Sequence, residues 1–334
     1  MKLSRCNIFF VLTIIFLVPA CSNEGEKSPY SEMLSQPKYT SLTDSIKKDP
    51  KNEELYFRRA ILLNSNDLPE PALADFLKAW SLQQNEKYAL GASTILLDKK
   101  PDSAIRFIST ALKKLPESLL LKLSLARAKN NSGKTDEALS VCNEILLGNP
   151  QQADVLKMKA ELLGKKGDNN EAIRVLEQTY VLTPYDIDLN YELAFRYAEA
   201  KNPKALTICD SLAKTDSLGN HAEPDYYKGI YYSNIGEKQK ALSLFSKAIE
   251  QDYYYLNAHI EKGRVLLDTK NYNEALKTFK LANTISPDFP DAWYWMGRCQ
   301  EVMGLKEEAK LNYQKAYGLD NTFTEAKEAA DKLK

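Results

Sequence analysis

Residues 229–248 read GIYYSNIGEKQKALSLFSKA, and the fold follows from what recurs after them. Residues 263–282 read GRVLLDTKNYNEALKTFKLA, and residues 297–316 read GRCQEVMGLKEEAKLNYQKA, each window 34 places after the last. Each opens on a glycine (Gly229, Gly263, Gly297) and carries an alanine twelve residues later (Ala241, Ala275, Ala309). An aromatic follows four places on (Phe245, Phe279, Tyr313), and another alanine three places beyond it (Ala248, Ala282, Ala316). Four positions that recur together three times define a register, and self-similarity at such a period marks a repeat array.

The register runs upstream. Ala60, Ala92, Ala126, Ala160 and Ala194 take the first small position, and Ala72, Ala104, Ala138 and Ala172 take the second. Units close at Pro116, Pro150, Pro184 and Pro287, while Pro50 closes a half-unit before the first. Repeats therefore begin near Glu53, Asn85, Leu119, Ala153, Ile187, Ala222, Leu256 and Pro290, eight in all over residues 53–323. Each reads as two amphipathic helices and a tight turn. Gly133, Gly167, Gly236 and Gly304 fall in the turns, where a helix ends and positive φ is favoured. Small residues let helices approach, and the aromatic fills the space between hairpins. One hairpin cannot bury its apolar stripe alone, so the units stack.

The order small, small, aromatic, small at this period resembles the tetratricopeptide repeat. The resemblance implies an all-α fold, a right-handed superhelical solenoid of about eight hairpins whose first helices line a concave groove. Tyr39 to Lys48 reads as a lone second helix, and Thr324 to Lys334 as a charged helix that caps the last hairpin. The expected organisation is a signal peptide over 1–20, a polar tether over 21–36 and an N-terminal capping half-repeat over 37–52. Repeats one to five with an irregular loop fill 53–221, repeats six to eight fill 222–323, and a C-terminal capping helix occupies 324–334. The turn at Lys201-Asn202-Pro203 is short and lacks glycine, and the loop Thr215 to Glu223 is polar; together they are the candidate joint.

The first twenty residues carry a different message. Lys2 and Arg5 precede an apolar run from Ile8 to Val18, interrupted only by Thr13, and Ala20 precedes Cys21. That is the layout of a secretory signal, too short for a permanent membrane span. Leu17-Val18-Pro19-Ala20-Cys21 resembles a bacterial lipobox, which implies cleavage before Cys21 and lipidation there. Several acyl chains on one residue give stable anchoring. The resemblance to tetratricopeptide lipoproteins, with Glu24 and Glu26 after the cysteine, implies an exported protein on the outer membrane, facing the periplasm or the cell surface. Asp44-Ser45-Ile46, Asp102-Ser103-Ala104, Asp210-Ser211-Leu212 and Asp216-Ser217-Leu218 resemble the O-glycosylation triplet of Bacteroidota.

Composition excludes several functions. With Lys2 and Arg5 removed, the 45 basic residues fall to 43 against 45 acidic, a net charge of −2 that makes no electrostatic case for nucleic acid. No cofactor is implied. No His, Cys and carboxylate cluster has metal-ligand spacing, no glycine loop suits a phosphate, and no serine has a placed base, so no catalytic residue and no metal ligand is assigned. His259 takes the place where the resembled family usually has tryptophan, and reads as a packing residue. Cys142 and Cys209 hold equivalent second-helix positions two repeats apart, about 20 Å at ordinary helix spacings, so they and Cys299 are expected to be buried free thiols.

What remains is a binding surface. The resemblance places ligand contacts at places two, five, six, nine, twelve and thirteen of each repeat. Here these hold Phe57 and Arg58; Arg127, Asn130 and Asn131; Tyr191 and Phe195; Tyr226 and Tyr227; Arg264; and Tyr294, Trp295 and Arg298. Tyrosine, tryptophan and arginine dominate binding hot spots, although some of these rings must wedge between hairpins. The carboxylate clamp of some family members is missing: Lys157 is followed by Glu161, and repeat three has Leu123 and Arg127. The expected function is a non-enzymatic scaffold, tethered to the membrane by its N-terminal lipid only, that grips a peptide segment or helix of another envelope protein. The alternative is a peptidoglycan- or glycan-binding module.

Overall fold

The computed structural model describes residues 29–215 and 221–333. The signal segment 1–20, Cys21, the tether up to Ser28 and the stretch 216–220 lie outside the described residues. The described chain is all-helical, with nineteen helices packed as consecutive hairpins. It forms two compact units that divide between Ala92 and Ser93.

The first unit holds α1 (Ser31–Leu34), α2 (Pro37–Lys48), α3 (Glu53–Asn64), α4 (Pro69–Leu82) and the start of α5 (Glu86–Lys99). Its core joins Ile46, Tyr56, Ala79 and Tyr88. Arg59 and Asp75 are buried among them as a bidentate pair, with Nε to Oδ2 at 2.6 Å and Nη2 to Oδ1 at 2.8 Å. Arg59 also donates to Thr43 at 3.1 Å, which ties α2 to the first full hairpin.

The second unit holds the rest of α5 and then α6 (Pro101–Leu112), α7 (Leu119–Asn131), α8 (Thr135–Gly148), α9 (Ala153–Lys165), α10 (Asn169–Leu182), α11 (Ile187–Glu199) and α12 (Lys204–Thr215). It continues through α13 (Glu223–Asn234), α14 (Lys238–Gln251), α15 (Leu256–Asp268), α16 (Tyr272–Ile285), α17 (Pro290–Val302), α18 (Lys306–Leu319) and α19 (Thr324–Lys332). One apolar core runs from Leu123 to Val265 and includes Tyr197, Ala205 and Ala222. At the C-terminal end α19 lays Ala330 against Ala309 and Tyr313.

Local chemistry explains the hairpins. The residue at the turn is left-handed in seven of them: Gly133, Gly167, Gly236 and Gly304 at φ 73 to 88°, but also Asp67, Lys201 and Lys270 at 56, 57 and 62°. In each turn the next amide reaches back five residues, as from Lys134 to Lys129 O at 2.8 Å and from Asn202 to Tyr197 O at 2.8 Å. This satisfies a carbonyl that the helix end leaves free. The turn at Lys201 therefore has the same geometry as the others, with lysine in glycine's place.

A second recurring device fixes four of the first helices to the preceding loop. The fourth residue of the repeat bonds a carbonyl six residues earlier: Tyr56 to Pro50 O at 3.2 Å, Asn190 to Pro184 O at 3.0 Å, and Trp293 to Pro287 O at 2.8 Å. His259 Nε2 does the same at Tyr253 O, at 2.9 Å, and is 1 % exposed. Its packing role replaces the tryptophan's in kind as well as in position.

Candidate functional site

The residues expected to bind a partner lie on first helices, and the structure treats them unequally. On α7, Arg127, Asn130 and Asn131 line one open cavity of about 400 Å³. Asp98 of α5 and Met158, Glu161 and Lys165 of α9 complete its walls. The guanidinium offers five donors and each amide offers both donors and an acceptor, so a polar segment crossing three first helices would find partners there.

Tyr191, Phe195, Tyr226 and Tyr227 form a cluster instead of a row of free rings. Tyr227 lies 6.3 Å from Tyr191, 5.6 Å from Phe195 and 5.5 Å from Tyr226, centroid to centroid. Tyr226 reaches on to Phe245 at 5.9 Å and Tyr255 at 4.9 Å, and only 8 % of it is exposed. Burial pushes both phenols well above their ordinary pKa. Tyr226 is a wedge between hairpins, while Tyr191, Phe195 and Tyr227 keep a partly open edge.

Farther along, Arg264 lines a cavity of about 300 Å³ with Glu199, Ser233, Asn234, Lys238, Glu261 and Asp268. Arg264 pairs with Glu261, and its guanidinium carbon lies 4.8 Å from the centre of the Trp295 ring. Burial holds the Glu261 carboxyl above its usual range; Arg264 opposes this, and the nearby Glu199 and Asp268 carboxylates add to it. Trp295 stacks on Phe279 at 6.2 Å and 23°. Tyr294 rests on Tyr313 and Phe323 at 5.6 and 4.9 Å, and Arg298 beside it is exposed. In the first unit Phe57 sits between Phe76 and Tyr88, 5.8 and 5.2 Å away, and Arg58 is exposed. Cys21, the expected lipidation residue, lies outside the described residues.

At the positions of the missing clamp, Lys157 pairs with Asp186 at 2.9 Å, and Glu161 with Lys165 at 2.7 Å. Cys142, Cys209 and Cys299 are free and buried. Burial raises the first two thiols to about 11 and about 12, and raises Cys299 as well, which makes all three poor nucleophiles. Among the described residues no group of His, Cys, Asp and Glu could hold a metal ion, and no helix is long and apolar enough to cross a membrane.

One surface escaped the sequence reading. Tyr180, Val181, Tyr185 and Ile187 are 39, 79, 93 and 58 % exposed. They border two adjoining cavities of about 430 and 440 Å³ between α10 and α12 that share Tyr180, Thr207 and Ile208. The signal available was four large apolar residues within eight, at the end of a second helix.

Comparison with known proteins agrees with this architecture. Residues 96–162, 226–288 and 290–323 match models of the tetratricopeptide repeat. Superkiller complex protein 3 of Mus musculus is 27 % identical over 70 % of this chain, and Protein NPGR2 of Arabidopsis thaliana is 24 % identical over 67 %. The chain spans only 16 % and 34 % of those relatives' own lengths. A tetratricopeptide repeat protein from Parabacteroides merdae superposes with a TM-score of 0.64 at 19 % identity, over 73 % of this chain and 96 % of that one. At that identity the likeness is one of fold.

Proposed function

We propose that this tetratricopeptide repeat protein, a scaffold for protein–protein interaction, is exported and held on a bacterial outer membrane by a lipid on Cys21. There it grips a segment or helix of another envelope protein on the first-helix face of its second unit. The observation that carries the binding face is a pair of cavities, one across α5, α7 and α9 lined by Arg127, Asn130 and Asn131 and one across α11, α13 and α15 lined by Arg264, with partly open aromatic rings beside them. Donors, carboxylates and ring faces converge there, as at protein-binding hot spots. The family is typically non-enzymatic, and we assign the chain no reaction. The anchor is supported by the charged start, the apolar run and the small residue before Cys21.

The test uses the mature chain as bait in envelope extracts of the native organism, beside a variant carrying Tyr294→Ala, Trp295→Ala and Arg298→Ala. Recovery of a specific partner by the first and its loss with the second is the expected result. Equal recovery by both removes the face from the account. Metabolic labelling with palmitate tests the anchor: label on the native chain and none on Cys21→Ser is expected, and label on neither refutes lipidation.

A further inference from the structure

The chain as a whole is electrically balanced, with 45 basic and 45 acidic residues, yet the binding face is not. Across repeats five to eight, places two, five, six, nine, twelve and thirteen carry eight carboxylates against two cations, Arg264 and Arg298. Arg196 and Lys238 reach in from outside these places to Glu192 at 2.6 Å and Asp268 at 3.0 Å, which leaves four carboxylates in excess. In repeats three and four the same places hold three cations and two carboxylates, so the excess is local.

We infer that the face of repeats five to eight receives a basic segment, one whose lysine or arginine side chains alternate between carboxylates and ring faces. This names the chemistry of the partner and rests on the binding face proposed above. Two independent observations support it. The cavity at Arg264 gathers Glu199, Glu261 and Asp268 beside two cations, Arg264 and Lys238; among the described residues Glu261 pairs with Arg264 and Asp268 with Lys238, leaving Glu199 for a ligand. The chain also displays the contact it would offer: the Arg264 guanidinium lies over Trp295 while it pairs with Glu261, so a ring and a carboxylate hold one cation between them. A cation over an aromatic face gains more when water is excluded, as in a lined groove. A local excess of one sign also steers an oppositely charged partner at encounter. Acidic segments meet the reverse on the same face.

The experiment measures fluorescence anisotropy with three labelled twelve-residue peptides: one rich in arginine and lysine, one rich in glutamate, and one neutral and aromatic. Each is titrated with the mature chain, with Glu199→Gln/Glu261→Gln/Asp268→Asn, and with a control triple, Glu274→Gln/Glu307→Gln/Glu308→Gln. Circular dichroism verifies that every variant keeps its helix content. The Tyr294→Ala/Trp295→Ala/Arg298→Ala variant provides a second route to the face that leaves the carboxylates in place. The basic peptide is expected to bind tightest, to lose about tenfold or more in the face triple, and to change less than twofold in the control. Tighter binding of the glutamate or neutral peptide, abolished by the Tyr294 variant, would overturn the inference and leave the face standing. Binding of every peptide with no response to either face variant would overturn both.

Discussion

Substituting Gly263 by alanine pits two effects of opposite sign against each other. In an exposed helix, Gly→Ala stabilises by about 1 kcal/mol through propensity. Here the added methyl would lie 2.3 Å from Phe279 Cε1, 2.7 Å from Cζ and 2.8 Å from Cδ1. Phe279 is fully buried, so its ring has no solvent to retreat into. Inserting a methyl into a filled core costs about 1–3 kcal/mol, and three contacts this short place the site in the upper part of that range. The net expectation is a loss of about 1–2 kcal/mol, read as a lowered urea midpoint in far-ultraviolet circular dichroism with an unchanged slope. The chain already shows the remedy. At Ala160, where the small residue is alanine, the facing residue is the aliphatic Leu176. Gly263→Ala/Phe279→Leu is therefore expected to be more stable than the sum of its single variants by about 1 kcal/mol. A Gly263→Ala variant that is more stable than the native chain would show that propensity wins and that the glycine–aromatic pair does not set the spacing of the hairpins.

Other outcomes follow from the same reasoning. Arg59→Met strands the Asp75 carboxylate in the core and should destabilise the first unit by about 3–5 kcal/mol, with Arg59→Met/Asp75→Leu recovering most of it; Trp80 emission reports that unit. Burial holds His259 below its ordinary pKa, so the folded state favours the neutral ring. Its contribution is complete above the unfolded value of about 6.5 and is lost as pH falls below it. Thermal melts between pH 7.5 and 5 should show that decline in the native chain and a flatter profile in His259→Phe; equal slopes would exclude His259. Lys201→Gly and Lys270→Gly relieve left-handed backbone at 57 and 62°, and each should stabilise by about 0.5–1 kcal/mol in urea denaturation.

The repeats were legible because their signals are local. A glycine under an aromatic ring and a left-handed residue at a turn are backbone requirements that recur wherever the geometry does. Gly91 shows how the rule is kept when the register varies: Phe76 faces Ala60 within its own repeat, and its ring comes within 2.5 Å of where a methyl on Gly91 would stand. Nothing in the sequence marks the division after Ala92, since that residue is an ordinary alanine at the ordinary small position. Position counting placed Tyr226 and Tyr227 on the binding face but could not weigh the volume of their neighbours. Ala194 and Cys209 are small, and Tyr227 packs against the cluster they form. The apolar patch from Tyr180 to Ile187 carries no repeat signal, because it spans the end of α10, the loop after it and the first residue of α11.

Partners are expected to engage the first-helix face of the second unit. A photo-crosslinking amino acid placed at Arg298, exposed on that face, and separately at Leu311, 65 % exposed on the second helix α18, tests it in living cells. Irradiation is expected to yield a discrete protein adduct from position 298 and none from 311. Adducts from 311 alone would contradict the account and move the binding surface to the other side of the repeats.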